Sequence, residues 1–212
     1  AVYMSQCQML PYNRIEDHFQ EQMGIPLSSG SIVNFNRDAF DRLSFFEVWV
    51  QKALRQEGLL HVDETGINVG GKRCWLHNVS SPRLSHFAPH AKRGGEAMEA
   101  IGILPGCTGI LCHDHWKPYF HYGRLHALCN AHHLRELERA WEQDGQQWAQ
   151  QLSVLLKEAN QAVHDADGCL DAATAEQYRV RYRKLLQQAE LECPPPEPQP
   201  NYGKRGRTAK SK

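Results

Sequence analysis

The stretch Leu59-Leu60-His61-Val62-Asp63-Glu64-Thr65 decides the fold, together with its counterpart Gly109-Ile110-Leu111-Cys112-His113-Asp114. Each carries an apolar run straight into an aspartate. A buried strand that ends on a carboxylate is unstable unless the charge meets a proton, a cation or a hydrogen-bond donor. One such Asp is explained by its capping a following turn or helix. Two in matching settings suggest a shared divalent cation.

Working outward, Gly58 separates a helical stretch from a strand-like one. Residues 72–80 and 83–88 read as two more strands, with Gly70-Gly71 and Ser81-Pro82 as the turns of a meander. Residues 95–103 have the spacing of a helix, Leu104-Pro105-Gly106 makes a turn, and 109–112 returns as a buried strand. Three strands, a helix and a fourth strand are the opening order of a ribonuclease H-like α/β fold with a mixed sheet. There the first and fourth strands lie side by side. Asp63 and Asp114 would then share one edge of the sheet and hold a pair of Mg²⁺ or Mn²⁺ ions. Such a pair activates a water or a 3′-hydroxyl and stabilises the leaving oxygen of a phosphodiester. Glu64 falls on the opposite face of the strand by alternation and is the weaker ligand candidate.

Residues 1–57 read as a helical lead-in. Pro11 breaks the first apolar pattern into two helices, and Ser28 or Ser29 caps a long third helix carrying Ile32, Phe35, Phe40, Leu43, Phe46, Val50 and Leu54. The pair has the form of a helix-turn-helix that reads DNA, with packing onto the next domain as the competing reading. Within 58–140, the expected catalytic core, residues 116–122 suggest a helical turn and 124–129 a fifth strand. Apolar spacing predicts helix over 131–166, with a break at Gly145, and again from Asp171 or Thr174 to Leu191, so 141–192 form a helical insertion. Residues 193–212 hold Pro194-Pro195-Pro196 and five cations from Lys204 to Lys212, a composition expected to stay disordered.

Over 212 residues, 24 Lys plus Arg balance 24 Asp plus Glu, so no overall basic field advertises nucleic acid. The seven cysteines are scattered and odd in number, which points to a reducing cytoplasm rather than a disulfide framework. No stretch is long and apolar enough to span a bilayer, so no membrane is expected. The chain opens at Ala1 in mid-pattern and is expected to be a fragment.

A second cluster is Cys129-Asn130-Ala131-His132-His133, followed by Arg135. Cys-x-x-His is half of a structural zinc site, which needs four ligands. Cys129 and His132 could instead buttress the edge of the site while Arg135 or His133 touches phosphate, or they could be a small core thiol and a hydrogen-bonded helix-start histidine. His113 and His115 flank Asp114 and are expected to act at most behind it. Lys72, Arg73, Lys92 and Arg93 lie in or beside the hairpins and could rim a DNA backbone.

The segments Val62-Asp63-Glu64-Thr65-Gly66, Gly71-Lys72-Arg73-Cys74-Trp75-Leu76-His77, Lys92-Arg93-Gly94, His113-Asp114-His115-Trp116-Lys117-Pro118-Tyr119 and Cys129-Asn130-Ala131-His132-His133-Leu134-Arg135-Glu136-Leu137 occur in this order. Together they resemble the central region of bacterial transposases of the insertion sequence 66 family. The resemblance implies a DDE-type transposase that cuts and joins DNA through two metal ions, Mg²⁺ or Mn²⁺, in a bacterial cytoplasm. Asp63 would be the first catalytic aspartate and Asp114 the second, with Cys129 and His132 matching the family's downstream Cys-x-x-His. Implied partners are element-end and target DNA, a second copy of the chain, or other transposition proteins. The family's third acid is a Glu beyond the insertion, and nothing like its segment precedes Lys212; Glu136, Glu138 and Glu142 come too soon after Asp114. The last catalytic helix is therefore expected to be missing. The expectation is a core that binds metal weakly and cleaves little or nothing by itself, or alternatively a DNA-binding regulatory remnant.

Overall fold

Pro11 and Gly24 punctuate the first helices. The computed structural model describes residues 1–194 and begins with α1 (Val2–Gln6), α2 (Tyr12–Met23) and α3 (Ser29–Arg55). Pro11 precedes α2, where its fixed φ and missing N–H are harmless, and Gly24 ends that helix in the left-handed region at φ 64°. Ser28 caps α3, its Oγ accepting from the Ser31 N–H at 3.2 Å. Helices α2 and α3 each bury an isoleucine completely, Ile15 and Ile32. Ser5 Oγ donates to Asn36 Oδ1 at 3.0 Å, and Asn36 Nδ2 donates to Tyr12 Oη at 3.2 Å, tying the three helices together.

Five strands follow: β1 (Leu59–Val69), β2 (Lys72–Ser80), β3 (Ser85–His90), β4 (Ile110–His113) and β5 (Leu125–Leu128). They form one mixed sheet in the order β3-β2-β1-β4-β5. Strand β1 pairs antiparallel with β2 and parallel with β4, and β2 pairs antiparallel with β3. Gly70 and Gly71, at φ 56° and 76°, make the two-residue hairpin that joins β1 to β2. Pro89 sits in the edge strand β3, the one place in a sheet that tolerates a missing donor. Helix α4 (Gly95–Ile101) and a 3₁₀ turn at Leu104–Gly106 make the crossover to β4.

Alternation decides which face is buried. Leu60 and Val62 of β1, Val79 of β2 and Leu111 of β4 form a core with Val50 and Leu54 of α3, Met98 of α4, and Ile103, Leu104, Cys107 and Tyr119. The end of α3 therefore serves as packing for the sheet, one of the two roles weighed for these helices. Gly109 directly precedes β4 beside the β1 entry, where an added Cβ would lie 2.5 Å from the Glu57 carbonyl oxygen.

The chain divides into two compact units, residues 1–127 and residues from 128 onward. The second is helical: α5 (Asn130–Glu142), α6 (Gln147–Asp165) and α7 (Ala172–Glu192). Leu137, Ala149, Leu152 and Leu155 form its core, with Trp141, Trp148, Tyr178 and Leu185 packed against them. Gly145, at φ 68°, breaks α5 from α6, and Asp171 caps α7 by accepting from the N–H groups of Ala173 and Thr174 at 2.9 and 3.0 Å. Of the expected tail over 193–212, the part from 195 lies outside the described residues. Among the described residues, no helix is long and apolar enough to cross a membrane.

Candidate functional site

The site is built on the β1–β4 ladder. Its parallel register runs Leu59↔Ile110, Leu60↔Leu111 and His61↔Cys112. Strand β4 ends at His113; carried two residues further, the same register would set Asp63 level with Asp114, on the face opposite Leu60, Val62 and Leu111. Asp63 does not end its strand as expected. Strand β1 continues to Val69 because β2 keeps pairing with it after β4 has stopped, so Asp63 stands where one ladder ends and the other goes on.

Asp63 is exposed and Asp114 half-buried. Asp63 Oδ1 accepts from the Glu64 N–H at 2.9 Å, and Asp114 Oδ1 accepts from the Trp116 N–H at 2.9 Å. Tyr119 lies close enough to both carboxylates to feel their charge. Its hydroxyl is pushed far above the ordinary tyrosine range, chiefly by burial, then by its hydrogen bond and charge contact with Glu64, with the charges of Asp63 and Asp114 adding in the same direction.

Behind Asp114, buried His113 donates from Nδ1 to the Asp114 carbonyl oxygen. In the neutral ring this leaves Nε2 to accept from His126 Nδ1 at 3.0 Å. Burial lowers the His113 pKa first, with the nearby His126 acting the same way and the Asp114 contacts opposing it. The neutral tautomer thus fixes the backbone at Asp114. His115 is exposed.

Glu64 faces inward, as alternation requires, and is the charge the core must satisfy: its side chain is 1% exposed. Arg93 meets it with Nε and Nη2 at 2.6 and 2.5 Å, and Tyr119 Oη donates to its other oxygen. The Arg93 guanidinium also lies 4.2 Å from the Trp116 ring centre and 4.9 Å from that of Trp75. His77, buried in β2, donates from Nε2 to the Lys92 carbonyl at 3.2 Å and so holds the loop that presents Arg93. Lys72, Arg73 and Lys92 are exposed. Tyr119 and the two tryptophans had no assigned role from the sequence, and Glu64 was read only as the weaker ligand candidate. The inward position of Glu64 was the available signal, since a carboxylate on a core face requires a cation close by.

Cys129, His132 and Arg135 belong to the second unit. Half-buried Cys129 precedes α5, and its carbonyl accepts from the His132 N–H at 3.0 Å. His132 Nδ1 is buried with no hydrogen-bond partner, and Arg135 is exposed. Among the described residues, no group of three or more His, Cys, Asp or Glu side chains is placed to hold a metal ion. Asp63 and Asp114 nevertheless fit a hard divalent cation by donor type, as two carboxylates at one edge. They supply only part of the roughly six oxygens that Mg²⁺ requires, leaving the rest to water and phosphate.

The family model described as Transposase IS66 family matches residues 1–203. No curated protein matches the chain, and no solved structure does.

Proposed function

The chain belongs to the IS66 family of transposases, and from that membership we propose that its sheet is the ribonuclease H-like core of a DDE-type enzyme acting on the DNA ends of an insertion sequence. The observation that supports the reading is the parallel β1–β4 pairing, which, continued past His61↔Cys112, would bring Asp63 level with Asp114. In this proposal the two aspartates hold the divalent cations, Mg²⁺ or Mn²⁺, which when bound supply Lewis-acid activation of the attacking and leaving oxygens. The chain's other residues position and shield. His113 fixes the backbone of Asp114 through the carbonyl oxygen, and Glu64 with Tyr119 holds the protein on the inner side of the same edge. Lys72, Arg73 and Lys92 offer cations to the phosphate backbone.

With two carboxylates and no third ligand grouped with them among the described residues, the chain by itself binds cations weakly and cleaves DNA poorly or not at all. A nicking assay on element-end DNA tests this. Mn²⁺-dependent cleavage lost in Asp63→Ala would overturn the prediction of inactivity and support the assignment of Asp63; no cleavage, with cation binding that depends on Asp63, is the expected result. The second reading, a DNA-binding regulator, is favoured by the same incomplete ligand set, and specific DNA binding without cleavage is its signature.

A further inference from the structure

The buried Glu64 does more than balance a charge. It pins Arg93 between two indoles, and Arg73 lies over the outer one, its guanidinium 5.4 Å from the Trp75 ring centre. Arg93 thus lies over both indoles, and Trp75 has two guanidiniums, those of Arg93 and Arg73, over its ring. The group begins two residues beyond Asp114, where the Trp116 N–H is bonded to the aspartate itself, and ends on exposed Arg73 next to the β1–β2 hairpin. Both tryptophans are half-buried, and Tyr119 meets Trp116 edge-on with ring centres 5.7 Å apart. A surface salt bridge would not need this arrangement: a buried carboxylate, two indoles and a histidine-held loop all fix one guanidinium. Cations set against aromatic faces are what single-stranded nucleic acid recognition uses, because every base has a face that stacks and every nucleotide carries a phosphate.

We infer that Trp75, Arg93 and Trp116 form a stacking platform for an unpaired nucleobase of the DNA end beside Asp63 and Asp114, with Arg73 as the displaceable outer cation that takes the neighbouring phosphate. The inference rests on the transposase reading and adds to it a preference for frayed or single-stranded ends over closed duplex.

The test compares two DNAs at fixed salt: a blunt duplex, and the same duplex with a short thymidine overhang. The full chain binds the overhang DNA on the order of tenfold more tightly, the scale of one stacked base. Trp116→Ala and Trp75→Ala reduce that ratio to near one. Trp116→Phe and Trp75→Phe retain most of it, which separates stacking from loss of folding. Equal affinity of the wild-type chain for both DNAs overturns the platform and leaves the DNA-binding reading intact. Equal ratios in wild type and both alanine variants also overturn it. Binding of neither DNA overturns both.

Discussion

At Glu64 and Arg93 the chain places a full ion pair against its core, with the carboxylate 1% and the guanidinium 39% exposed. Removing one partner of such a pair costs more than the pair contributes, because the survivor keeps its desolvation penalty. Glu64→Ala is expected to lower stability by roughly 3 kcal/mol, the low end of the buried range because water reaches Arg93. Urea denaturation checks this, and a loss within the noise would show the pair to be ornamental. Tyrosines 119 and 122 give a pH signature. Burial, then the Glu64 contact, pushes Tyr119 far up; burial, then a 2.8 Å hydrogen bond to Glu99, pushes Tyr122 up to about 12. The native state thus holds protons that the unfolded chain releases near pH 10. Their contribution is fully present below pH 10 and is lost as pH rises beyond it. Urea midpoints should fall between pH 9 and pH 11, and less steeply in Tyr119→Phe; an unchanged slope in that variant would assign the effect elsewhere.

Among the elements, β1 carries the most consequence. Its first half was readable as an apolar run stopping at Asp63, but its second half, Gly66-Ile67-Asn68-Val69, has only Ile67 and Val69 in alternation beside the Gly70-Gly71 turn, too short a run to announce a strand. Only pairing with β2 makes it a strand, and such pairing is tertiary information. The helices were more legible because Pro11, Ser28, Gly145 and Asp171 mark their ends chemically, and caps are local. The site followed the same division. Asp63 and Asp114 are candidates that strand patterning proposes, whereas the Trp75–Arg93–Trp116 contacts join three segments distant in sequence. Two substitutions test the packing. Leu54→Ala removes a side chain with no exposed surface where α3 meets the sheet core, and should cost about 2–5 kcal/mol. Gly109→Ala places a Cβ 2.5 Å from a backbone oxygen rather than a flexible side chain, so the β4 entry must shift, at roughly 1–3 kcal/mol. A thermal melt that left Leu54→Ala at the wild-type midpoint would contradict the packing of α3 on the sheet, and the same result for Gly109→Ala would contradict the close approach at the β4 entry.

Over the whole molecule, 24 cations balance 24 anions, so attraction to DNA has to come from local placement. Lys72, Arg73 and Lys92 supply it, with Arg93 already occupied by Glu64. Neutralising three phosphates predicts a plot of log affinity against log salt with a slope of about −3, and Lys72→Ala with Lys92→Ala should flatten it towards −1. A slope unaffected by that double variant would place the DNA elsewhere on the protein. The central claim remains the sharing of a cation by Asp63 and Asp114. Titration of Mn²⁺ followed by electron paramagnetic resonance, on the wild-type chain, on Asp63→Asn and Asp114→Asn singly and on the double variant, tests it most directly. The account predicts weak binding in the wild type that either substitution removes, with nothing further lost in the double variant. Binding that survives undiminished in the double variant would contradict it.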